Sequence, residues 1–496
     1  MSNLNHTIRK SLFANFIGRY SNTLVQLVVT AVLARLLSPS DFGVIAVLTV
    51  LVTFFSFISE MGLGPAIVQF ELKREQLSAL FWLTVFVGSM LSMIFVFGGP
   101  LLSTFYHEPR YIAIAKILAL NIALSCWGIV PFAVLRKQLK FKEIVMVEIA
   151  SAILSGCVGI ATAYANFGVF ALALKGASYA CSMFAFCLVT SRFNPFKRPV
   201  FRGMTRILSY SVYQFFFNLT NYFTKNLDKL VVGRLMGSNA LGLYDMSYRL
   251  MLLPNANLTQ IISPALQPIY AAHQNDKATI FSSYQTVIRA LLIAGGFAGV
   301  GCFLCADEII FLAYGKKWSL AAPIFSILSL SIAIQVVLST VGAIFQAIGR
   351  TDLLSFSGML CAACSISAMV IGALSGSLVM FAWLVSASFV INGLMTFYIL
   401  ARRGFGTSLL SLFRPSIGCL GGIALMLVAS AAVKLTMSAF EFNPIVLAAK
   451  IIGVTGAYAA ILHVTGDLRF LLNTLSRQPT RASVLKSDAG QVGEAI

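Results

Sequence analysis

An all-α, polytopic membrane protein of about fourteen transmembrane helices is the fold class this sequence predicts, built as two six-helix bundles followed by two further helices. Three observations carry the expectation. Of 496 residues, 58% are hydrophobic and only 11% charged, where an average soluble protein carries roughly a quarter. Charge clusters, prolines and glycines cut the chain into about fourteen apolar runs, each near the ~20 residues that a spanning helix requires. A stretch from the first third of the chain also returns 199 residues later.

The first segment, residues 11–36, follows the polar, basic start MSNLNHTIRK. It contains Arg19, Asn22 and Gln26 and is too long for the apolar core of a signal peptide, so it reads as a retained helix. Segments 40–68, 77–102, 110–134, 143–165 and 168–191 complete the first bundle. The basic stretch SRFNPFKRPVFRGMTR, Ser191 to Arg206, suits a linker lying along anionic headgroups. Segments 207–235, 239–270, 280–305, 319–348, 353–374 and 377–400 form the second bundle, and 415–437 and 443–465 the last two helices. The resulting domains are 1–194, 195–404 with the linker, 405–466, and a polar cytoplasmic tail over 467–496.

Basic residues orient the chain. With the N-terminus inside, the outer loops hold six lysines and arginines (Arg35, Arg110, Arg234, Lys316, Lys317 and Lys434). The inner loops and termini hold twenty-two, including the clusters at 136–142, 192–206 and 402–414. This positive-inside bias places both termini in the cytoplasm. It also accounts for most of the net charge of +19 without nucleic acid.

The repeat pairs VLARLLSPSDFGVIAV, Val32 to Val47, with VVGRLMGSNALGLYDM, Val231 to Met246. Arg35 falls on Arg234, Leu36 on Leu235 and Gly43 on Gly242. A second match, AVLRKQLKFK from Ala133 with AIFQAIGRTD from Ala343, follows in the same order. The pattern implies a duplicated six-helix unit in parallel orientation, an architecture that transporters use to hold substrate between repeats.

The first helix of each unit carries a polar stripe. Asn15, Arg19, Asn22 and Gln26 are spaced by four, three and four, and Gln214, Asn218, Asn221 and Lys225 repeat that spacing, with Asp228 and Lys229 extending it. Such spacing puts each set on one helix face, and a face of that kind belongs toward a water-filled cavity or a partner rather than lipid. Single asparagines could instead tie helices together, but the duplicated register favours a lined cavity. Further embedded charges are Glu60, Lys175, Asp245, Arg249 and Arg289. Asp245 and Arg249, four apart, could pair along one helix, and Asp228 could neutralise Lys225 or Lys229. The interior is net cationic, so a cargo bearing phosphate or carboxylate is expected, gripped by Arg19, Lys175, Lys225, Lys229, Arg249 and Arg289 with the amides of Asn22, Gln26, Asn218 and Asn221. Glu60, Asp228 and Asp245 are candidates for coupling a proton or sodium ion to movement.

At LARLLSPSDFG, at EMGLGPAIVQ from Glu60, and at NLDKLVVGRLMGSNALGLY from Asn226, the chain resembles the polysaccharide transport family of the multidrug/oligosaccharidyl-lipid/polysaccharide exporter superfamily, the Wzx-type flippases. Asp228 and Gly233 sit in what resembles the family's seventh-helix motif. The resemblance implies a V-shaped, two-lobed transporter of the bacterial inner membrane. Working by alternating access, it would export an undecaprenyl-pyrophosphate-linked repeat unit for O-antigen, capsule or exopolysaccharide, in company with a polymerase and other assembly proteins. Two other functions compete: a drug antiporter of the same superfamily, which would want an acidic chamber, and a membrane-embedded polymerase or glycosyltransferase, which would want large loops or a carboxylate and histidine cluster. The four histidines are scattered, and no P-loop, HExxH pair or triad spacing is found. The chain is therefore expected to be no enzyme and to need no cofactor or metal. The spacings Cys302/Cys305 and Cys361/Cys364 lie in apolar segments without neighbouring ligands and read as packing.

Overall fold

A computed structural model describes residues 2–60, 63–196, 200, 226–271, 274, 276–436 and 444–470. Every described regular element is helical, as expected where lipid offers backbone groups no alternative partner. The helices are α1 (Ser2–Leu36), α2 (Pro39–Glu60), α3 (Leu63–Gln69), α4 (Arg74–Tyr106), α5 (Arg110–Trp127), α6 (Ile129–Lys137), α7 (Phe141–Tyr164) and α8 (Val169–Ser191). After the linker come α9 (helical residues 226–235), α10 (Gly237–Ala271), α11 (Lys277–Leu304), α12 (Ala306–Tyr314), α13 (Ala321–Ser329) and α14 (Ile332–Ala347). The remainder are α15 (Thr351–Leu374), α16 (Leu378–Ile399), α17 (Leu409–Phe413), α18 (Ile417–Thr436) and α19 (Pro444–Val464).

Among the described residues ten helices are long and apolar enough to cross a membrane, or eleven if α13 and α14, bent by 52° at a short break, form one span. The fourteen segments read from the sequence lie mostly on helix where their residues are described, but the expected number is not reached among those residues. One segment is bent, where Leu330 and Ser331 separate α13 from α14. There the Ser331 hydroxyl donates back to Leu328 O at 2.7 Å, and a side chain competing for backbone in this way bends helices. Hydropathy runs through the bend, which is why the sequence read it as straight. At Gly128, between α5 and α6, helical hydrogen bonds continue, from its N–H to Leu124 O and from the Phe132 N–H to its carbonyl.

The backbone divides into two compact units. The first contains Met1–Ser247, Ile310–Ala321 and Met369–Phe381; the second contains Tyr248–Ile309, Ala322–Ala368 and Ala382–Ile496. In the first, α5 packs on α2, α4 and α8, α7 packs on α1 and α8, and α3 packs on α6. In the second, α11 is the central helix, touching α14, α17, α18 and α19. The last two helices are pinned there by charge: Lys434 of α18 pairs with Asp307 at 3.4 Å and Lys450 of α19 with Glu308, both acids in the first turn of α12.

The duplicated motif meets itself inside the first unit. A methyl group added at Gly43 would lie 1.7 Å from Ser238 O, and one at Gly242 would lie 1.8 Å from Pro39 O. The opening turns of α2 and α10 thus cross backbone to backbone, each repeat's glycine receiving the other repeat's carbonyl. The hydroxyls of Ser40 and Ser238 are hydrogen-bonded at 3.0 Å beside the crossing. The equivalent arginines follow the same reciprocity. Arg35 donates to Leu312 O at 2.6 Å, while Arg234 contacts His107 Nδ1 at 3.1 Å and lies over the Phe105 ring. Trp318, fully buried, donates from Nε1 to Ala34 O at 2.8 Å and meets Phe42 edge to face. Between α4 and α5, Arg110 bridges Glu108 at 2.8 Å and Asp41 at 3.1 Å. The Arg110 guanidinium holds the Glu108 carboxyl below the usual carboxylate range.

Gly43→Ala and Gly242→Ala must force the crossing apart. Each is expected to lower the thermal midpoint of the purified protein, with an overpacking cost of about 1–3 kcal/mol or more. Gly98→Ala and Gly421→Ala, where no atom lies within 4 Å, should leave it nearly unchanged. Because the folded-state value of Glu108 is depressed, its contribution is present above the ordinary carboxylate range and disappears as pH falls through the lowered value. The difference in melting temperature between wild type and Glu108→Gln should therefore shrink on acidification from neutrality.

Candidate functional site

Two carboxylates and a lysine are brought together by the hairpin of α9 and α10. Asp228, 2% exposed, accepts from the Tyr244 hydroxyl at 2.8 Å and from the Lys229 backbone N–H at 2.8 Å. The Lys229 ammonium reaches across to Asp245, 3.0 Å away and 1% exposed. Tyr244 is itself buried and stacks edge to face on Phe381. The cluster is a pair of acids sharing one lysine and one phenol, and Lys229 is neutralised by Asp245, with Asp228 held separately by Tyr244. Sequence spacing alone placed Asp228 opposite Lys225 or Lys229. The sixteen-residue separation of Asp228 and Tyr244 across a turn gave that partnership no periodic signal.

The other residues of the expected site are distributed. On α1, the Asn22 Oδ1 is buried without a hydrogen bond among the described residues, and Gln26, one turn on, is exposed. The side chains of Asn15 and Arg19 lie outside the described residues, as do Gln214, Asn218, Asn221 and Lys225 altogether. Lys175 of α8 is half-buried and runs its alkyl stem past Gly159 of α7, where a methyl group would sit 3.0 Å from it. Arg249 is exposed on α10. In the second unit, Arg289 of α11 is paired with Asp467 and lies under the Phe470 ring at 4.5 Å. Asp467, read from the sequence as the first residue of the polar tail, is 1% exposed and also accepts from the Thr465 hydroxyl at 2.5 Å. A single acid after an apolar run looks like the start of a solvated tail, so this partner had no signature.

Glu60 occupies a cavity within the first unit. The space measures about 310 Å³ and is lined by Glu60, Ser125, Phe132, Arg136, Tyr179 and Phe184 among others. From the sequence, Arg136 falls just beyond the end of its segment. In the structure it lies in the last turn of α6, over the Phe132 ring at 4.5 Å and on the lining of the Glu60 cavity.

A family model described as "Polysaccharide biosynthesis protein" matches residues 32–323, more than half of the chain. The chain belongs to the polysaccharide biosynthesis protein family. The match takes in Glu60, Lys175, the Asp228–Lys229–Asp245 cluster, Arg249 and Arg289, and leaves the α1 stripe outside. The teichuronic acid biosynthesis protein TuaB of Bacillus subtilis (strain 168) is 27% identical over 391 residues, covering 76% of this chain and 79% of its own. The succinoglycan biosynthesis transport protein ExoT of Rhizobium meliloti (strain 1021) is 25% identical over 75% of this chain and 76% of its own. Among solved structures, the lipid II flippase MurJ in an inward closed conformation superposes with a TM-score of 0.70 over 92% of this chain and 99% of that one, at 13% identity. The multi-pass transporter fold and the family read from LARLLSPSDFG and its companion motifs are therefore borne out.

Removing the cation from a carboxylate as buried as Asp245 is strongly unfavourable. Lys229→Ala is expected to cost about 3–5 kcal/mol of stability, measured as a fall in thermal midpoint in detergent. Lys229→Ala combined with Asp245→Asn should recover most of the loss.

Proposed function

We propose that this protein is a flippase for a polyprenyl-diphosphate-linked oligosaccharide, serving assembly of a surface polysaccharide in the bacterial inner membrane with both termini cytoplasmic. The observation that carries the reading is the combination of family and fold. A member of the polysaccharide biosynthesis family has the architecture of a lipid II flippase over nearly its whole length. A relative bearing the words "biosynthesis transport protein" supports export rather than synthesis as its role. The charge pattern supports a negatively charged headgroup. The spans hold more lysine and arginine than acid, and a desolvated cation is tolerable where an anion answers it.

On this reading the diphosphate is met by Arg19, Lys225 and Lys175, with Arg249 on α10. Lys229 and Arg289, paired to Asp245 and Asp467, exchange those acids for the cargo if they take part. The amides of Asn22, Gln26, Asn218 and Asn221 bind the first sugars. The bundles change conformation to expose the headgroup outside, by the population shift that unequal affinity for two states produces. An ion taken up by Glu60, Asp228 or Asp245 would couple to that shift. The duplicated bundles at 1–194 and 195–404, with helices 13 and 14 and the tail after them, are the moving parts. An antiporter of cationic drugs would need the opposite charge pattern.

Deleting the gene is expected to abolish surface polysaccharide and to leave polyprenyl-diphosphate-linked glycan accumulating on the inner side. Arg19→Ala and Lys225→Ala, expressed at wild-type levels, each remove a charge-assisted contact of about 1.5–3 kcal/mol. Polymer export should fall roughly tenfold or more. Unchanged polymer from both variants would remove these residues from the grip.

A further inference from the structure

None of the residues proposed to hold the diphosphate lines the cavity containing Glu60, yet it is built like a binding site. Its walls come from three candidate spans: Glu60 and Gly64 from Pro39–Gln69, Ser125, Phe132 and Arg136 from Arg110–Lys137, and Tyr179, Met183 and Phe184 from Val169–Ser191. No hydrogen bond or salt bridge holds the Glu60 carboxylate among the described residues; its electrostatic neighbour is Arg136, and it lies in a candidate span, where such a group is expensive. A methyl group at Gly64 would stand 3.0 Å from Glu60 Oε1, so the glycine leaves the carboxylate its place. Tyr179 brings a hydroxyl that is likewise without a hydrogen bond among the described residues, and Arg136 brings a guanidinium held on Phe132. Phe132, Met183 and Phe184 supply apolar wall.

The chemistry of this lining selects among ligands. One acid and one base face the same space of about 310 Å³, which a ligand offering both donors and acceptors matches more fully than a coupling ion alone. A carboxylate can only accept, a guanidinium can only donate, and a phenol does both. Set among aromatic faces, these groups suit a ring that carries several hydroxyls on its edge and C–H groups on its face. The size is at the lower end of small-molecule sites, which combine apolar walls with a few convergent polar groups. The geometry points to a subsite for one sugar residue of the cargo within the N-terminal unit, with Glu60 accepting from sugar hydroxyls, Arg136 and Tyr179 donating to its oxygens, and Phe132 and Phe184 covering its face. The inference rests on the reading of the cargo as a lipid-linked glycan and adds where its sugar is recognised. A zwitterionic phospholipid headgroup also carries both charges, but it has no ring face to set against the aromatic walls.

The test uses the cargo's own sugar. Glycan is released by mild acid from the polyprenyl-linked fraction of a deletion strain and titrated against the full-length protein in nanodiscs, with binding monitored by saturation-transfer NMR. Wild type should transfer saturation to ring protons. Glu60→Gln, which keeps the shape of the side chain, and Phe184→Ala should each raise Kd about tenfold or more, the effect of losing a contact worth roughly 1.5 kcal/mol. Glycan that accumulates in the strain but does not bind, or binds both variants as it binds wild type, overturns the subsite and leaves the transport reading standing. Displacement of the glycan by phosphoethanolamine at lower concentration assigns the cavity to a bilayer lipid and also overturns the subsite. A deletion strain holding no polyprenyl-linked glycan overturns the cargo reading, and the subsite with it.

Discussion

Hydrocarbon gives no hydrogen bond and no screening, and the described helices answer to that constraint. Backbone groups are satisfied locally, so each described element is a helix. Several charges in the spans are answered by a partner. Lys229 reaches Asp245, Arg289 reaches Asp467, Lys450 reaches Glu308, and Asp228 takes a tyrosine hydroxyl. Such pairs contribute little net stability compared with apolar residues of the same volume, because desolvation offsets most of the attraction. Their value lies in specificity: each ties one named helix to another, and breaking one leaves a charge that lipid cannot accept. In this way two lysines on α18 and α19 fix the helices outside the duplication to α12, the structural account that their apolar sequences withheld.

The duplication has a second consequence, visible where its copies touch. Equivalent glycines at 43 and 242 each admit a carbonyl of the other repeat, and equivalent arginines at 35 and 234 each reach across to the connection after the other repeat's third helix. A self-complementary contact of this kind is the intrachain counterpart of the isologous interface of a symmetric dimer, in which residue i meets j and j meets i. Only glycine permits backbones at that separation, and an exchange at either position is felt by both copies at once.

The all-helical membrane fold and the approximate ends of most described helices were legible in the sequence, because an uninterrupted apolar run of spanning length has few other uses; the expected fourteen spans were not reached, with ten or eleven found among the described residues. The family was legible too, since Arg35, Gly43, Asp228 and Tyr244 lie within short distinctive strings. The bend between α13 and α14 was not legible. Leu330 and Ser331 sit in a continuous hydrophobic stretch, and a serine inside an apolar run is ambiguous until the structure shows whether its hydroxyl turns back onto the helix. Partnerships were legible only along one helix. The i, i+4 rule offered Arg249 to Asp245, while the lysine that holds Asp245 in the structure comes from the preceding helix. The roles of Arg136 and Asp467 were missed for a related reason. Charge near the end of an apolar run reads as a loop, and only tertiary structure shows that Arg136 lines a cavity and that Asp467 is held by Arg289.

Two kinds of polar residue divide the mechanical labour between them. The acids of α9 and α10 are occupied, Asp245 by Lys229 and Asp228 by Tyr244. Glu60 is not so held: it shares a cavity lining with its electrostatic neighbour Arg136, and that lining draws on the spans Pro39–Gln69, Arg110–Lys137 and Val169–Ser191. A ligand bound there would touch those three spans of the first unit at once, whereas each paired charge elsewhere ties one segment to another. A transporter needs both: contacts that do not change between its states, and at least one polar group whose partner is supplied by the cargo.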